Sequence, residues 1–190
     1  MASFRRLAGV RVAILLSNGF EQAELTYPRE ALHAAGATTA LISPHVPVVW
    51  GWKRDERDGA FKVELDLADA KPVDFDGVLL PGGLRNADTL RLNNKAVLFV
   101  HAMQIARKPI AAISHAPWVL VETDFVRARK LTSSPSLRTD IVNAGGNWVD
   151  QAVVSDELLV TGRGAADTSR FADAVVALFA RGQGAVAEAS

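Results

Sequence analysis

Ser114 and His115 are neighbours at a point where a buried strand meets a helix. Ile110, Ala111, Ala112 and Ile113 form an unbroken apolar run, and His115-Ala116-Pro117 follows Ser114 at once. Pro117 suits a first helical turn, where its missing N–H leaves nothing unsatisfied. Ala112 and Ala116 stand two places either side of Ser114, the positions that a tight strand–turn–helix elbow keeps small. Such an elbow lifts the side-chain oxygen above the sheet and aims the next amides, those of His115 and Ala116, at a developing oxyanion. The chemistry would be nucleophilic attack on a carbonyl, with His115 as the base that a serine hydroxyl needs near neutral pH. The competing reading is an ordinary capping serine at a strand–helix junction.

The elements needed to hold that elbow can be read along the chain. Val10–Leu16 is an aliphatic run with little alternation, as expected of a strand buried on both faces of a parallel sheet. A helix over 21–35 carries Ala23, Leu25, Ala31, Leu32 and Ala35 on one face and ends at Gly36. Strands are expected over 38–43, 77–80, 109–113, 131–132, 152–154 and 158–161. Helices are expected over 88–107, from Pro117, over 136–144 and over 165–180. Residues 46–66 read as a β-ribbon about a polar turn at 55–59. The order predicts a three-layer α/β sandwich, flavodoxin-like, with a mostly parallel sheet and an appended ribbon. Its parts are an exposed arm over 1–9, a single domain over 10–181 and a frayed tail over 182–190. In such sheets ligands bind beyond the carboxyl ends of the strands. That rule selects four loops: 17–24, 81–88, 114–117 and 162–167.

Composition narrows the chemistry. The chain has 190 residues, and its 21 basic and 21 acidic side chains balance, which argues against a surface built for nucleic acid or an anionic membrane. It has no cysteine, so disulfides, thiolate metal sites and a thiol nucleophile are excluded. His33, His45, His101 and His115 show no metal-ligand spacing, and no metal or cofactor is expected. No apolar stretch approaches the ~20 residues that span a bilayer, so a cytoplasmic location is expected. Gly162-Arg163-Gly164 begins like a dinucleotide fingerprint but lacks the third glycine and a following strand. It reads instead as a tight turn at which Arg163 lines a pocket for an anionic group. A nucleotide-binding reading is disfavoured because Ser17-Asn18-Gly19-Phe20 offers no glycine cradle. Trp50 and Trp52 share one face of the ribbon, as a subunit contact or as packing against the sheet. Trp118 would lie near the pocket wall.

Four segments in order, FEQAELTYPREALHAAG, PGG, PIAAISHAPWVLV and LTSSPSLRTDIVNAGGNWVD, give the chain a resemblance to the PfpI-type intracellular protease family. That family belongs to the superfamily of Parkinson-associated deglycases and class I glutamine-amidotransferase-like domains. The resemblance spans about 10–180. In the family, the motif around Ser114 reads alanine-isoleucine-cysteine-histidine-glycine-proline, with the cysteine as nucleophile. Ser114 therefore occupies the nucleophile position and His115 that of its base. Glu24 matches the helix carboxylate that hydrogen-bonds the family's cysteine, and Gly83 supplies the oxyanion-side amide. Asp88 matches, through a one-residue insertion, the acid that orients the histidine from a neighbouring subunit. Glu21 is a second carboxylate that could enter the pocket.

The resemblance implies a stress-related hydrolase, either a protease or a deglycase acting on small carbonyls or glycated groups. It implies a homodimer or higher homo-oligomer, with a small molecule or peptide as substrate. Serine cannot follow the cysteine to sulfinic acid, so redox sensing of that kind is absent. Ser114 fits a divergent natural chain, a serine-based hydrolase and a Cys→Ser substitution alike. The contrasting expectation is a non-catalytic scaffold that keeps the fold and the oligomer.

Overall fold

The computed structural model describes residues 6–187. β1 (Arg11–Leu15) is buried from Val12 onward. β2 (Phe20–Glu21), α1 (Gln22–Ala34) and β3 (Thr38–Ser43) follow, and β3 pairs parallel to β1 with Arg11 opposite Thr38. β4 (Val48–Lys53) and β5 (Glu56–Lys62) make the antiparallel ribbon. Its turn is two residues, Arg54-Asp55, with Arg54 at φ 59°. This corrects the longer turn expected at 55–59, because Asp58 and Gly59 belong to β5. β6 (Leu65–Asp66) then joins the edge of the main sheet beside β3.

β7 (Gly77–Leu80) leads into α2 (Leu84–Arg91) and α3 (Asn94–Ile105). One helix was expected over 88–107. The chain forms two, because the Asn93 side chain accepts from the amides of Lys95 and Ala96 and starts a new helix there. The first helix begins early because Gly83, at φ 90°, turns the chain directly out of the Pro81-Gly82 corner. β8 (Ile110–Ile113), α4 (Pro117–Glu122), β9 (Lys130–Leu131), α5 (Arg138–Asn143), β10 (Asn147–Trp148), β11 (Val153–Asp156), β12 (Leu159–Gly162) and α6 (Thr168–Ala187) complete the order. β10 was not anticipated; it pairs parallel to β9.

The main sheet has the order β11-β12-β8-β7-β1-β3-β6. Its pairings are parallel except for β11 with β12. Alternate residues of the central strands enter two cores. Ala13, Leu15, Val78, Leu80, Ile110 and Ala112 pack with Leu90, Phe99, Met103 and Leu120 of α2, α3 and α4. Val12, Ile14, Leu79, Ala111 and Ile113 pack with Leu25 and Leu32 of α1 and with Phe171, Val175, Leu178 and Phe179 of α6. The result is the three-layer, flavodoxin-like α/β sandwich that the strand pattern predicts.

Both ends depart from expectation. Leu7 is fully buried and its N–H donates to the Ala35 carbonyl, so the described part of the arm is docked; residues 1–5 lie outside the described residues. α6 continues to Ala187, well into the segment expected to fray, and residues 188–190 lie outside the described residues.

Candidate active site

β1, β7 and β8 are parallel neighbours, so their carboxyl ends open at one edge, where the strand order reverses between β1 and β7. There a cleft of about 450 Å³ is lined by Gly19, Glu21, Glu24, Gly83, Leu84, Arg85, Ser114, His115 and Ala165. All four loops selected from the sequence contribute. The ribbon adds Trp52, Arg54 and Asp55 as a further wall. Sequence reasoning missed this wall, which depends on β2 pairing with β4, Phe20 opposite Gly51 and Glu21 opposite Trp52.

Ser114 sits at the elbow with φ 62°, in the left-handed region that non-glycine residues enter rarely. Its backbone is held on both sides: its N–H donates to the Gly162 carbonyl at 2.9 Å and its carbonyl accepts from Ser134 at 2.8 Å. The strained geometry is thus fixed from β12 and from the segment after β9. A Cβ on Gly82 would come within 2.6 Å of both the Ile113 carbonyl and the Ser114 Cβ. Only glycine lets the Pro81–Gly83 corner close over the elbow.

The Ser114 hydroxyl lies 3.2 Å from Nδ1 of His115. Burial lowers the His115 pKa from its ordinary value, which favours the neutral imidazole that a base requires. On the other edge of the ring, Nε2 is 3.2 Å from the Ser136 hydroxyl. Ser136 in turn lies 3.0 Å from the Ser134 hydroxyl. The ring centroid is 6.0 Å from that of Trp118.

Glu24 enters from α1 and is 1% exposed. Burial, reinforced by the charge of Glu21, pushes its carboxyl up to about 8; the Ser114 side chain and the Gly82 amide pull the other way without offsetting it. At neutral pH the group is therefore mostly a carboxylic acid, a donor beside the hydroxyl rather than an anion. Its Oε2 is buried with no partner in good hydrogen-bond geometry. Glu21 is also raised, chiefly by burial, and its carboxylate accepts from the Arg54 amide at 3.1 Å.

The corner that carries Gly83 is tied down by Asn86, which is fully buried. Its Oδ1 accepts from the Ser17 amide at 2.6 Å, and its Nδ2 donates to the carbonyls of Pro81 at 2.8 Å and Gly82 at 3.0 Å. One side chain thereby joins the loop after β1 to the loop after β7.

The structure brings Glu24, Glu21, Gly83, Ser114 and His115 together. Four other candidates lie off the cleft lining. The Ala116 amide closes the turn by donating to the Ile113 carbonyl at 3.0 Å. Among the described residues the His115 amide has no such acceptor, so of the two elbow amides it is the one left to meet an oxyanion. Arg163 is paired with Asp150 at 2.8 Å and Asp167 at 3.1 Å. Trp118 donates to Asp140 at 2.7 Å and lies under the Arg91 guanidinium. Asp88 is held by Arg91 at 2.9 Å on α2, so within one chain it is engaged away from His115. Among the described residues, no three His, Asp or Glu side chains gather as a metal site would require. No described helix is long and apolar enough to cross a membrane.

An open parallel α/β sandwich with a strained Ser-His elbow facing a buried helix carboxyl defines the class. Residues 10–178 match the DJ-1/PfpI family, and the chain belongs to it. Among similar proteins, an uncharacterized protein, SH1084, of Staphylococcus haemolyticus is 39% identical over 163 residues, covering 85% of this chain and 92% of the relative. Deglycase PH1704 of Pyrococcus horikoshii is 37% identical over 158 residues, covering 83% and 92% respectively. The crystal structure of DJ-1beta from Drosophila melanogaster is 28% identical with a TM-score of 0.81, covering 90% of each chain. A two-domain protein of Anabaena variabilis, with DJ-1/ThiJ/PfpI-like and ferritin-like domains, is 30% identical with a TM-score of 0.82; this chain spans 47% of it.

Proposed function

We propose that the cleft acts on small carbonyl compounds or on the adducts they form, with Ser114 as nucleophile and His115 as its base. The observation that carries this reading is the Ser114 Oγ to His115 Nδ1 distance of 3.2 Å at a left-handed elbow. The imidazole is neutral and a protonated Glu24 stands beside the hydroxyl, so one group can take a proton and another can give one. The hydroxyl proton passes to Nδ1 as Oγ bonds to the carbonyl carbon. The oxyanion then meets the His115 amide, the Gly83 amide and the Glu24 acid. Relatives named as deglycases support carbonyl adducts as the substrate class. A cytoplasmic, stress-related homo-oligomer is the setting we assign, and Asp88 would reach a histidine only from a second copy.

The test compares the chain with Ser114→Cys, Ser114→Ala and His115→Ala, following methylglyoxal consumption and the hydrolysis of small esters and peptides. Activity in the serine chain, lost in Ser114→Ala and reduced by about 10²–10⁴ in His115→Ala, is the expected result. Activity confined to the cysteine form would overturn serine catalysis and favour the second reading, a scaffold that has kept the fold. The specific observation behind that alternative is that, among the described residues, both ring nitrogens of His115 face hydroxyls and neither faces a carboxylate.

A further inference from the structure

Within one chain the His115 ring is held at both nitrogens by hydroxyls. Nδ1 faces Ser114 and Nε2 faces Ser136, each at 3.2 Å, and Ser136 continues to Ser134 at 3.0 Å. A neutral imidazole carries one proton, so one nitrogen donates and the other accepts. The two polarities have opposite consequences. If Nδ1 carries the proton, His115 donates to Ser114 and cannot take its proton. If Nε2 carries it, Nδ1 is open to the Ser114 hydroxyl, the Nε2–H donates to Ser136, and the Ser136 hydroxyl is free to donate to Ser134.

We propose that Ser136 is a positioning residue, which fixes His115 in the Nε2–H form and so keeps Nδ1 available to Ser114. It does within the chain what a carboxylate does for the histidine of a serine hydrolase, by accepting from the far nitrogen. The direction of the hydrogen bonds is consistent along the row. In that polarity a protonated Glu24 can donate toward Ser114, Ser114 donates toward His115, His115 toward Ser136, and Ser136 toward Ser134. The ends of this row are anchored independently of the ring. The Ser134 amide donates to the Ser114 carbonyl at 2.8 Å, and that contact brings the 134–136 turn over the elbow. The Leu137 amide then closes the turn on the Ser134 carbonyl at 3.0 Å, with Leu137 fully buried beneath it. Ser136 is thus delivered to the imidazole edge by a packed turn, although the residue itself faces solvent.

The inference rests on the reading of Ser114 and His115 as a dyad, yet its main readout needs no substrate. In the full-length chain labelled with ¹⁵N-histidine, NMR should show His115 with Nδ1 in the unprotonated range and a resolved Nε2–H protected from exchange with water. Ser136→Ala should lose the protected Nε2–H and give exchange-averaged nitrogen shifts, and Ser136→Thr should restore both. If the dyad is active, Ser136→Ala should lower kcat about fivefold to tenfold, the net worth of one neutral hydrogen bond, with KM unchanged.

A protonated Nδ1 in the unmutated chain would overturn the proposal, as would a Ser136→Ala spectrum identical to it. A shift seen in Asp88→Ala instead would also overturn it, because an acid from a second copy would then be the orienting group. Loss of the protected Nε2–H in Ser136→Ala, in a chain without hydrolytic activity, would uphold the positioning role and defeat the catalytic reading.

Discussion

Replacing Glu24 by glutamine keeps the shape of the buried side chain and removes its proton equilibrium. In the folded protein the carboxyl holds its proton up to about pH 8, against an ordinary value of 4.5, because burial disfavours the anion and the charge of Glu21 adds to that effect. Between these two pH values the folded chain binds more protons than the unfolded chain, so stability falls as pH rises. The contribution is fully present below about pH 4.5 and has been lost once the pH passes the folded value. At about 1.4 kcal/mol for each pH unit, the accumulated loss from this one group is on the order of 5 kcal/mol by pH 8, and it grows no further once the unfolded and folded forms are both ionised. Urea unfolding of the chain and of Glu24→Gln, at unit steps from pH 5 to pH 9, should give free-energy curves that diverge steadily and then run parallel. Glu21, also raised by burial, is present in both proteins and largely cancels in the difference. The glutamine amide adds only an offset that does not vary with pH, so the slope is the quantity to read. Two curves parallel over the whole range would refute the reasoning, since they would mean that Glu24 is ionised in the folded protein at neutral pH.

Two further substitutions probe the frame around the elbow. Gly82→Ala places a methyl group within 2.6 Å of the Ile113 carbonyl and the Ser114 Cβ, and should destabilise the fold by about 1–3 kcal/mol, read as a lower midpoint in thermal unfolding. Asn86→Ala leaves the Ser17 amide and the carbonyls of Pro81 and Gly82 without their buried partner. It should cost about 2–4 kcal/mol from several unsatisfied groups, and amide hydrogen exchange should quicken in both loops while the centre of α6 stays protected.

What the sequence disclosed is what neighbouring residues determine. The elbow is legible because Ile110–Ile113 must be buried, Pro117 must begin a helix and the places beside Ser114 are small. The four loops at the cleft follow from strand order alone. The break between α2 and α3 was also local, in the side chain of Asn93, but the apolar stripe through Leu90, Val97 and Val100 masked it. The ribbon wall was hidden for a different reason. β2 is two residues long, and its pairing with β4 depends on how the ribbon folds back across the sheet. Ser136 was hidden too, because a serine in a polar turn carries no mark of the imidazole to which it is delivered 21 residues away in sequence. The burial of Leu7 against the end of α1 likewise has no local signal.

The Asn86 tie has a bearing on how the site comes into being. It joins positions 69 residues apart, and the groups it helps to align come from three strands that pair only after long crossovers. Among the described residues, no hairpin or single strand–helix unit contains even half of the cleft. Contacts of such separation form late, because the closure of long loops must precede them. During refolding, helices and isolated strand pairs can therefore recover while Glu24 still titrates as an ordinary surface carboxylate. Because the raised Glu24 pKa comes from burial, the point in refolding at which this carboxyl begins to resist ionisation is expected to report that the elements covering it have docked.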